Sequence, residues 1–155
     1  MSLEKLKDLR KRRMERATIE LKNSKEYLLF CEKEVAKKFQ KQREYAQWRL
    51  QHQDELFGDL QAGIFAPEDL GNYLADVERM KYKKKQLEDD LDNAKKKYKQ
   101  AEKNVHEKQL ALSLIVKKLE KLSEIIEMQM EGLAAGIDRQ EENVVDEIVA
   151  FRASH

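Results

Sequence analysis

The chain has 155 residues, of which 39% are charged and 41% hydrophobic, and its formal net charge is +1. It contains five glycines and one proline, while Ala, Glu, Lys, Leu and Arg make up slightly more than half of it. This composition is typical of a coiled coil or a long helix. It excludes β-sandwiches and barrels, which need many turn residues, and doubly wound α/β enzymes, which need glycine-rich loops.

The N-terminal part of the chain predicts one long helix from about residue 3 to about residue 60, with Ser2 as its N-cap. This stretch contains no proline, and its first glycine is Gly58. Apolar residues recur there at spacings of three and four, as in a coiled-coil seam. The predicted core positions of this helix are Met14, Leu21, Leu28 and Val35.

The repeat of the first helix shifts after Val35. An apolar residue is due at position 38, where the chain has Lys38, and the pattern resumes at Phe39, Gln42 and Ala46. Two consecutive steps of four residues predict a stutter, which unwinds a left-handed supercoil locally.

A connection at about residues 61–69 leads into a second predicted helix at about residues 70–131. Pro67 suits a first helical position, and the acidic residues after it complement the helix dipole. An unbroken seven-residue repeat then predicts a left-handed coiled coil. The predicted core positions are Leu87, Leu91, Tyr98, Val105, Leu112, Ile115, Leu119, Leu122 and Ile126.

We therefore predict a single all-α domain over residues 1–155: a long, monomeric, antiparallel two-helix coiled-coil hairpin. A basic N-terminal region facing an acidic C-terminal region favours the antiparallel arrangement. The C-terminal tail, residues 132–155, carries Val144, Val145, Ile148 and Phe151 at helical spacing. It is expected to be a frayed or partner-dependent helix.

The sequence predicts no catalytic, cofactor or metal site. The three histidines are far apart, and no phosphate-binding loop motif is present. The single Cys31 cannot form an intrachain disulfide, which favours a reducing compartment. No run of 18 apolar residues occurs, so no membrane insertion is expected.

Basic clusters raise the question of a nucleic-acid partner. Nucleic-acid-binding domains are usually clearly basic, whereas this chain is nearly neutral and its lysine runs lie close to acids. We therefore interpret the lysine runs as solvated helix flanks. An N-terminal arginine-rich cluster remains a candidate for protein contact, and its alternative is pairing with the chain's own acids, such as Glu124, Glu127 and Glu131. This basic cluster comprises Arg10, Lys11, Arg12, Arg13 and Arg16.

Two apolar groups flank the predicted connection. The group that precedes it comprises Tyr45, Trp48, Leu56 and Phe57. Tyr73, Val77 and Met80 follow it at helical spacing. Both groups can pack the end of the hairpin against itself. Together they also offer more apolar surface than one seam requires, so a partner surface is the alternative.

The chain resembles the YscO family of type III secretion proteins, whose flagellar equivalent is FliJ. The resemblance rests on Tyr45, Trp48 and Arg49, followed by Leu56 and Phe57, within an architecture that covers nearly the whole chain. It implies a non-enzymatic hairpin similar to the central stalk of rotary ATPases. Such a protein contacts a secretion ATPase hexamer and the cytoplasmic domain of the export-gate membrane protein, and family members engage chaperones of translocators.

The resemblance also implies where these partners bind. The export-gate contact is expected at Tyr73, Val77, Met80 and Lys84, bordered by Trp48 and Phe57. The ATPase contact is expected at the basic cluster. The implied location is the bacterial cytoplasm, at the base of the secretion apparatus. The alternative is a structural coiled-coil scaffold or adaptor, homodimeric or not, that is unrelated to secretion.

Overall fold

The computed structural model describes residues 2–63, 66–132, 144–148 and 150. Two long helices account for most of them, α1 (Leu3–Ala62) and α2 (Pro67–Met130). They pack against each other, and the described ranges contain no strand, so the fold is an all-α helical hairpin. Residues 144–148 and 150, further along the chain, are helical and form what we term the tail segment.

Local capping sets where both helices begin. Ser2 Oγ accepts a hydrogen bond from the backbone N–H three residues later at 3.2 Å, in an N-cap arrangement. Pro67 opens α2 at a position where a backbone N–H would have no helical partner. Asp69 Oδ2 accepts a hydrogen bond from the N–H of Ala66 at 3.0 Å. After α2, Gly132 has a φ of 74°, a left-handed conformation that favours glycine.

The connection between the helices is shorter than the glycines suggest. Gly58 lies inside α1 and Gly71 inside α2, and α1 ends at Ala62 while α2 already begins at Pro67. A single glycine costs a helix only about 1 kcal/mol relative to alanine, so tertiary packing can hold it in helical conformation.

Contacts divide the chain into two compact units, Met1–Ser24 with Val105–His155 and Lys25–Asn104. In the first unit the two helices run antiparallel. Arg10 donates a hydrogen bond to the backbone oxygen of Lys118, and Glu20 pairs with Lys108 at 3.2 Å. Ten residues forward on α1 therefore correspond to ten residues back on α2.

The first unit has a core built from three parts of the chain. Leu6 of α1, Leu122 and Ile125 of α2, and Val144 of the tail segment form one buried cluster. Leu122 is the most deeply buried of them, with 1% of its surface exposed. Leu3, Ile126 and Ile148 pack against this cluster and are partly buried.

The second unit has a narrower core. Its buried apolar residues are Cys31, Met80, Leu91, Ala94 and Ala101. Several of these side chains are small, so each helix contributes one thin stripe of buried surface. The remaining faces of both helices are covered by charged residues or left exposed.

The predicted core positions differ in how deeply they are buried. Leu91, Val105 and Leu122 are buried. The others are partly buried, namely Met14, Leu21, Leu28, Val35, Leu87, Tyr98, Leu112, Ile115, Leu119 and Ile126.

The predicted stutter in α1 is wrong. Phe39 is 52% exposed and Ala46 is also exposed, whereas Lys38 and Tyr45 are partly buried. The inward face therefore keeps its seven-residue repeat beyond Val35. A lysine can hold such a position because its aliphatic stem lies along the apolar surface while its ammonium group stays in water.

We expect Leu122→Ala to lower the free energy of unfolding by about 2–5 kcal/mol, because it removes a fully buried side chain and leaves a cavity. Leu114→Ala is the matched control on the same helix, since Leu114 is largely exposed. Urea titrations followed by circular dichroism measure both. Equal stability of the two variants would contradict the three-part core.

Candidate partner-binding surfaces

The basic cluster is not one continuous exposed patch. Lys11, Arg12 and Arg16 are exposed, and the last two lie four residues apart on one face of α1. Arg10 and Arg13 are partly buried and turn toward α2. The cluster thus divides into three outward cations and two that belong to the contact between helices.

Arg10 is held by groups from two other parts of the chain. Its Nη1 donates a hydrogen bond to the backbone oxygen of Lys118 at 2.9 Å, and its Nη2 pairs with the carboxylate of Glu147 in the tail segment. Only 12% of the Arg10 side chain is exposed. The acid that pairs with Arg10 is therefore Glu147. Glu147 was not among Glu124, Glu127 and Glu131, the acids that the sequence offered as examples of partners for the basic cluster.

A groove of about 370 Å³ lies beside Arg10 in the first unit. Its walls are mostly apolar and include Leu6, Leu9 and Leu114, and the basic side chains of Arg10 and Arg13 also line it. Leu9 and Leu114 are exposed. The groove therefore combines apolar walls with a basic margin, a combination suited to an amphipathic acidic helix.

The residues expected to contact the export gate do not share one exposed face. Met80 is 5% exposed, and Tyr73 and Val77 are partly buried. The backbone oxygen of Met80 accepts a hydrogen bond from Tyr45 OH at 3.1 Å, which places this part of α2 against α1. Of the four expected residues on α2, Lys84 alone is exposed.

Trp48 belongs to an aromatic stack on the surface of α1. Its ring lies 5.6 Å from that of Tyr45 and 4.6 Å from that of His52, centroid to centroid. Lys83 of α2 places its Nζ 5.1 Å from the centre of the Tyr45 ring, within range of a cation–π interaction. Burial raises the pKa of Tyr45, and this effect outweighs the opposing charge of Arg49.

An apolar stripe runs along the outside of α1 in the second unit. It comprises Phe39, Ala46, Leu50 and Phe57, all exposed, with Leu50 at 61%. Steps of seven, four and seven residues keep these side chains on one face of a helix. The sequence interpretation used two members of this stripe as inward positions and did not single out Leu50.

Two further exposed leucines, Leu70 and Leu74, occupy the first turns of α2. They lie one helical turn apart, and they were not among the expected contact residues. The sequence alone could have pointed to them, because Leu70 and Leu74 lie within three residues of Tyr73, which was expected to contact the export gate. Distinguishing them from Tyr73 required knowing which face of α2 meets α1.

A family model matches nearly the whole chain. The model described as "Type III secretion protein YscO" matches residues 2–150. The chain belongs to the YscO family of type III secretion proteins. Comparisons with curated proteins and with solved structures gave no significant match. The YscO resemblance noted from Tyr45, Trp48 and Arg49 is therefore confirmed, and the flagellar relationship stays a prediction.

Among the described residues, no group of three or more His, Cys, Asp or Glu side chains is arranged to hold a metal ion. Neither long helix contains a stretch that is long and apolar enough to cross a membrane.

Arg49 belongs to the motif that carries the YscO resemblance, yet its environment in the fold is unfavourable for one of its polar atoms. Its side chain is partly buried, and its Nε atom is buried without a hydrogen-bond partner among the described residues. A buried polar atom without a partner loses its hydration and gains nothing in return. This YscO-family protein therefore keeps at position 49 a residue that its packing does not favour.

We expect Arg49→Met to raise the free energy of unfolding by about 1 kcal/mol, because it keeps the stem and removes the unpaired nitrogen. Arg43→Met, at an exposed position of the same helix, is the control and is expected to change little. Thermal melts of the two variants test this. A large destabilisation by Arg49→Met would mean that the guanidinium group stabilises the fold.

Proposed function

We propose that this protein is the non-enzymatic central stalk of a bacterial type III secretion system. It links the secretion ATPase hexamer to the cytoplasmic domain of the export-gate membrane protein, stimulates the ATPase and hydrolyses nothing itself. It works in the cytoplasm at the base of the apparatus, and chaperones of translocators are further partners. The observation that carries the proposal is the family match over residues 2–150.

Two chemically different surfaces support a linking role. The first unit exposes the cations Lys11, Arg12 and Arg16, and the second exposes the apolar stripe with Leu70 and Leu74. Monomeric proteins rarely leave large contiguous apolar patches in water unless a partner covers them. A linker between two different partners needs two such different surfaces.

The exposed cations suit a contact with the ATPase. Electrostatic attraction acts over longer distances than apolar contact, and it tolerates small changes of register against a ring of similar subunits. Arg12 and Arg16 share one exposed face, so they can meet acidic groups together. Arg10 is already engaged by Glu147, so we assign the contact mainly to the outward members of the cluster.

We expect the double variant Arg12→Glu, Arg16→Glu to raise the concentration for half-maximal ATPase stimulation about tenfold or more. Each reversal replaces an attraction of up to about 1 kcal/mol by a similar repulsion. Stimulation by the wild type should also weaken with salt, because the screening length falls from about 10 Å at 0.1 M to about 3 Å at 1 M. Steady-state hydrolysis by the cognate ATPase is the measurement.

The matched control is Lys22→Glu, Lys25→Glu, which makes the same change of net charge at exposed positions further along α1. This control should stimulate like the wild type. Equal stimulation by the Arg12, Arg16 variant and the control would remove the basic cluster from the ATPase contact.

The exposed apolar residues near the connection suit the export-gate contact. Phe57 is about half exposed, and Leu74 adds an apolar side chain from α2. Trp48 is also about half exposed, but it lies nine residues before Phe57 and therefore on the opposite face of α1, where it borders the proposed contact. Met80 packs against α1, so its part in gate binding is indirect: it holds α2 in place beside the aromatic stack. Tyr73 and Val77 are partly buried and stay at the edge of the proposed contact.

We expect Phe57→Ser with Leu74→Ser to weaken binding to the gate's cytoplasmic domain about tenfold or more, since truncating a central interface anchor commonly costs about 2 kcal/mol. Isothermal titration calorimetry measures the affinity of each variant. Leu29→Ser is the control, because Leu29 is similarly exposed on α1. Unchanged affinity of the double variant, with helicity retained, would exclude these residues from the contact.

A second copy of the chain is the competing occupant of the apolar stripe, as in a homodimeric scaffold. The exposure of Phe39, Leu50 and Phe57 is the observation that favours it. Light scattering separates the two functions, since a stalk is expected to be monomeric. A stable dimer that the Phe57, Leu74 variant dissolves would support the scaffold instead.

A further inference from the structure

The tail segment is packed onto the beginning of α1 and the end of α2. Val144 is 3% exposed and belongs to the buried cluster with Leu6 and Leu122. Ile148, one helical turn further, packs against the same cluster. Apolar residues four positions apart lie on one face of a helix, so the segment contacts the hairpin through a short amphipathic face.

A carboxylate on the tail segment completes this contact. Glu147 pairs with Arg10 of α1 and lies 3.9 Å from the Nζ of Lys121 on α2. About a quarter of the Glu147 side chain remains exposed. Hydrogen bonds between ionised groups are stronger and more directional than neutral ones, so this pair selects an acid at this position of the segment.

The tail segment also closes one side of the groove beside Arg10. Glu147 and Ala150 line that groove together with Leu6, Leu9 and Leu114. The contact shows what chemistry this part of the hairpin binds: a helix with two apolar residues four apart and an acid between them. A partner helix with this pattern would need the same surface of Leu6, Leu122 and Arg10.

We propose that the tail segment is a displaceable latch, which occupies the site where the hairpin binds an acidic amphipathic helix of its ATPase partner. The inference rests on the proposed function in taking the ATPase as the source of that helix. Displacing the latch frees Arg10 and adds it to the exposed cations Arg12 and Arg16. Arg10 therefore joins the outward cations only when the partner has replaced the chain's own acid.

The latch lowers the apparent affinity for such a helix. When the binding-competent state is a fraction of the molecules, the apparent dissociation constant rises by the reciprocal of that fraction. A latch closed in about nine molecules of ten therefore weakens binding about tenfold. Contact between the tail segment and the hairpin thus sets how strongly the protein responds to its partner.

The test uses the full chain with Val144→Ser and Ile148→Ser, which weaken the apolar contact without changing the charge. Val145→Ser is the matched control, because Val145 is exposed on the same segment. Glu147→Gln removes the ion pair alone and should produce a smaller effect in the same direction, and it guards against a folding defect of the double variant.

Amide hydrogen exchange provides the first measurement. Residues 144–148 should be protected in the wild type and in Val145→Ser, and should lose protection in the double variant while α2 around Leu91 keeps it. Exchange of residues 144–148 that is equally fast in all three proteins would overturn the latch.

The second measurement is the affinity for a peptide that competes with the tail segment for its site. A synthetic peptide with the sequence of residues 141–155 should bind the double variant about tenfold more tightly than the wild type, and Val145→Ser should behave like the wild type. Equal affinities would show that the tail segment does not occupy the site, and would overturn the inference without touching the proposed function.

ATPase stimulation distinguishes the remaining outcomes. The double variant should reach half-maximal stimulation at about one tenth of the wild-type concentration. If the peptide discriminates between the variants but neither protein stimulates the ATPase, the latch stands and the proposed stalk function fails. If the peptide discriminates and both proteins stimulate equally, the latch does not regulate the ATPase contact and the inference is overturned.

Discussion

The thin contact between two long helices is the constraint on which the rest of this structure depends. Each helix can offer its partner only one stripe of side chains, so the buried set is small and rich in alanine and leucine. Every other face must be either charged or exposed. The surface of such a hairpin is therefore unusually available for other proteins, and its core is unusually sensitive to the register of the two helices.

In the second half of α1, polar residues occupy several inward positions while apolar residues are exposed. Lys38, Tyr45 and Arg49 occupy inward positions, while Phe39 and Leu50 face water. Such local conflicts in natural proteins are expected at functional sites, where selection retains residues that packing alone would replace. The unpaired nitrogen of Arg49 and the exposed stripe are two consequences of the same arrangement.

In the first unit, a third part of the chain covers apolar side chains that the two helices alone would leave exposed. A two-helix contact leaves Leu6, Leu122 and Ile125 open on one side, and the tail segment covers that side with Val144. The cover is short and depends on the two ion pairs of Glu147 and a few apolar contacts, so it is weaker than the helices that it covers. A covering element of this kind can respond to a partner without loss of the hairpin, because local opening costs less than global unfolding.

The sequence by itself determined the helical class, the two long helices and the YscO resemblance, while it placed the start of α2 about three residues later than Pro67. Composition and a long repeat average over many positions, so a few irregular residues do not disturb them. Sequence alone also singled out Arg10, Trp48 and Phe57 as unusual, although not what surrounds them.

Only the tertiary structure decided which residues turn inward. In the second half of α1, the apolar residues can be assigned to either of two helical faces. The position of the partner helix decides that Lys38 is partly covered and Phe39 is exposed. The pairing of Arg10 with Glu147 joins residues 137 positions apart, and no local pattern specifies such a contact. Which face of a helix is buried, and which distant residues pair, depends on how the helices pack together. The pattern of residues within one helix predicts that helix but not the position of its partner.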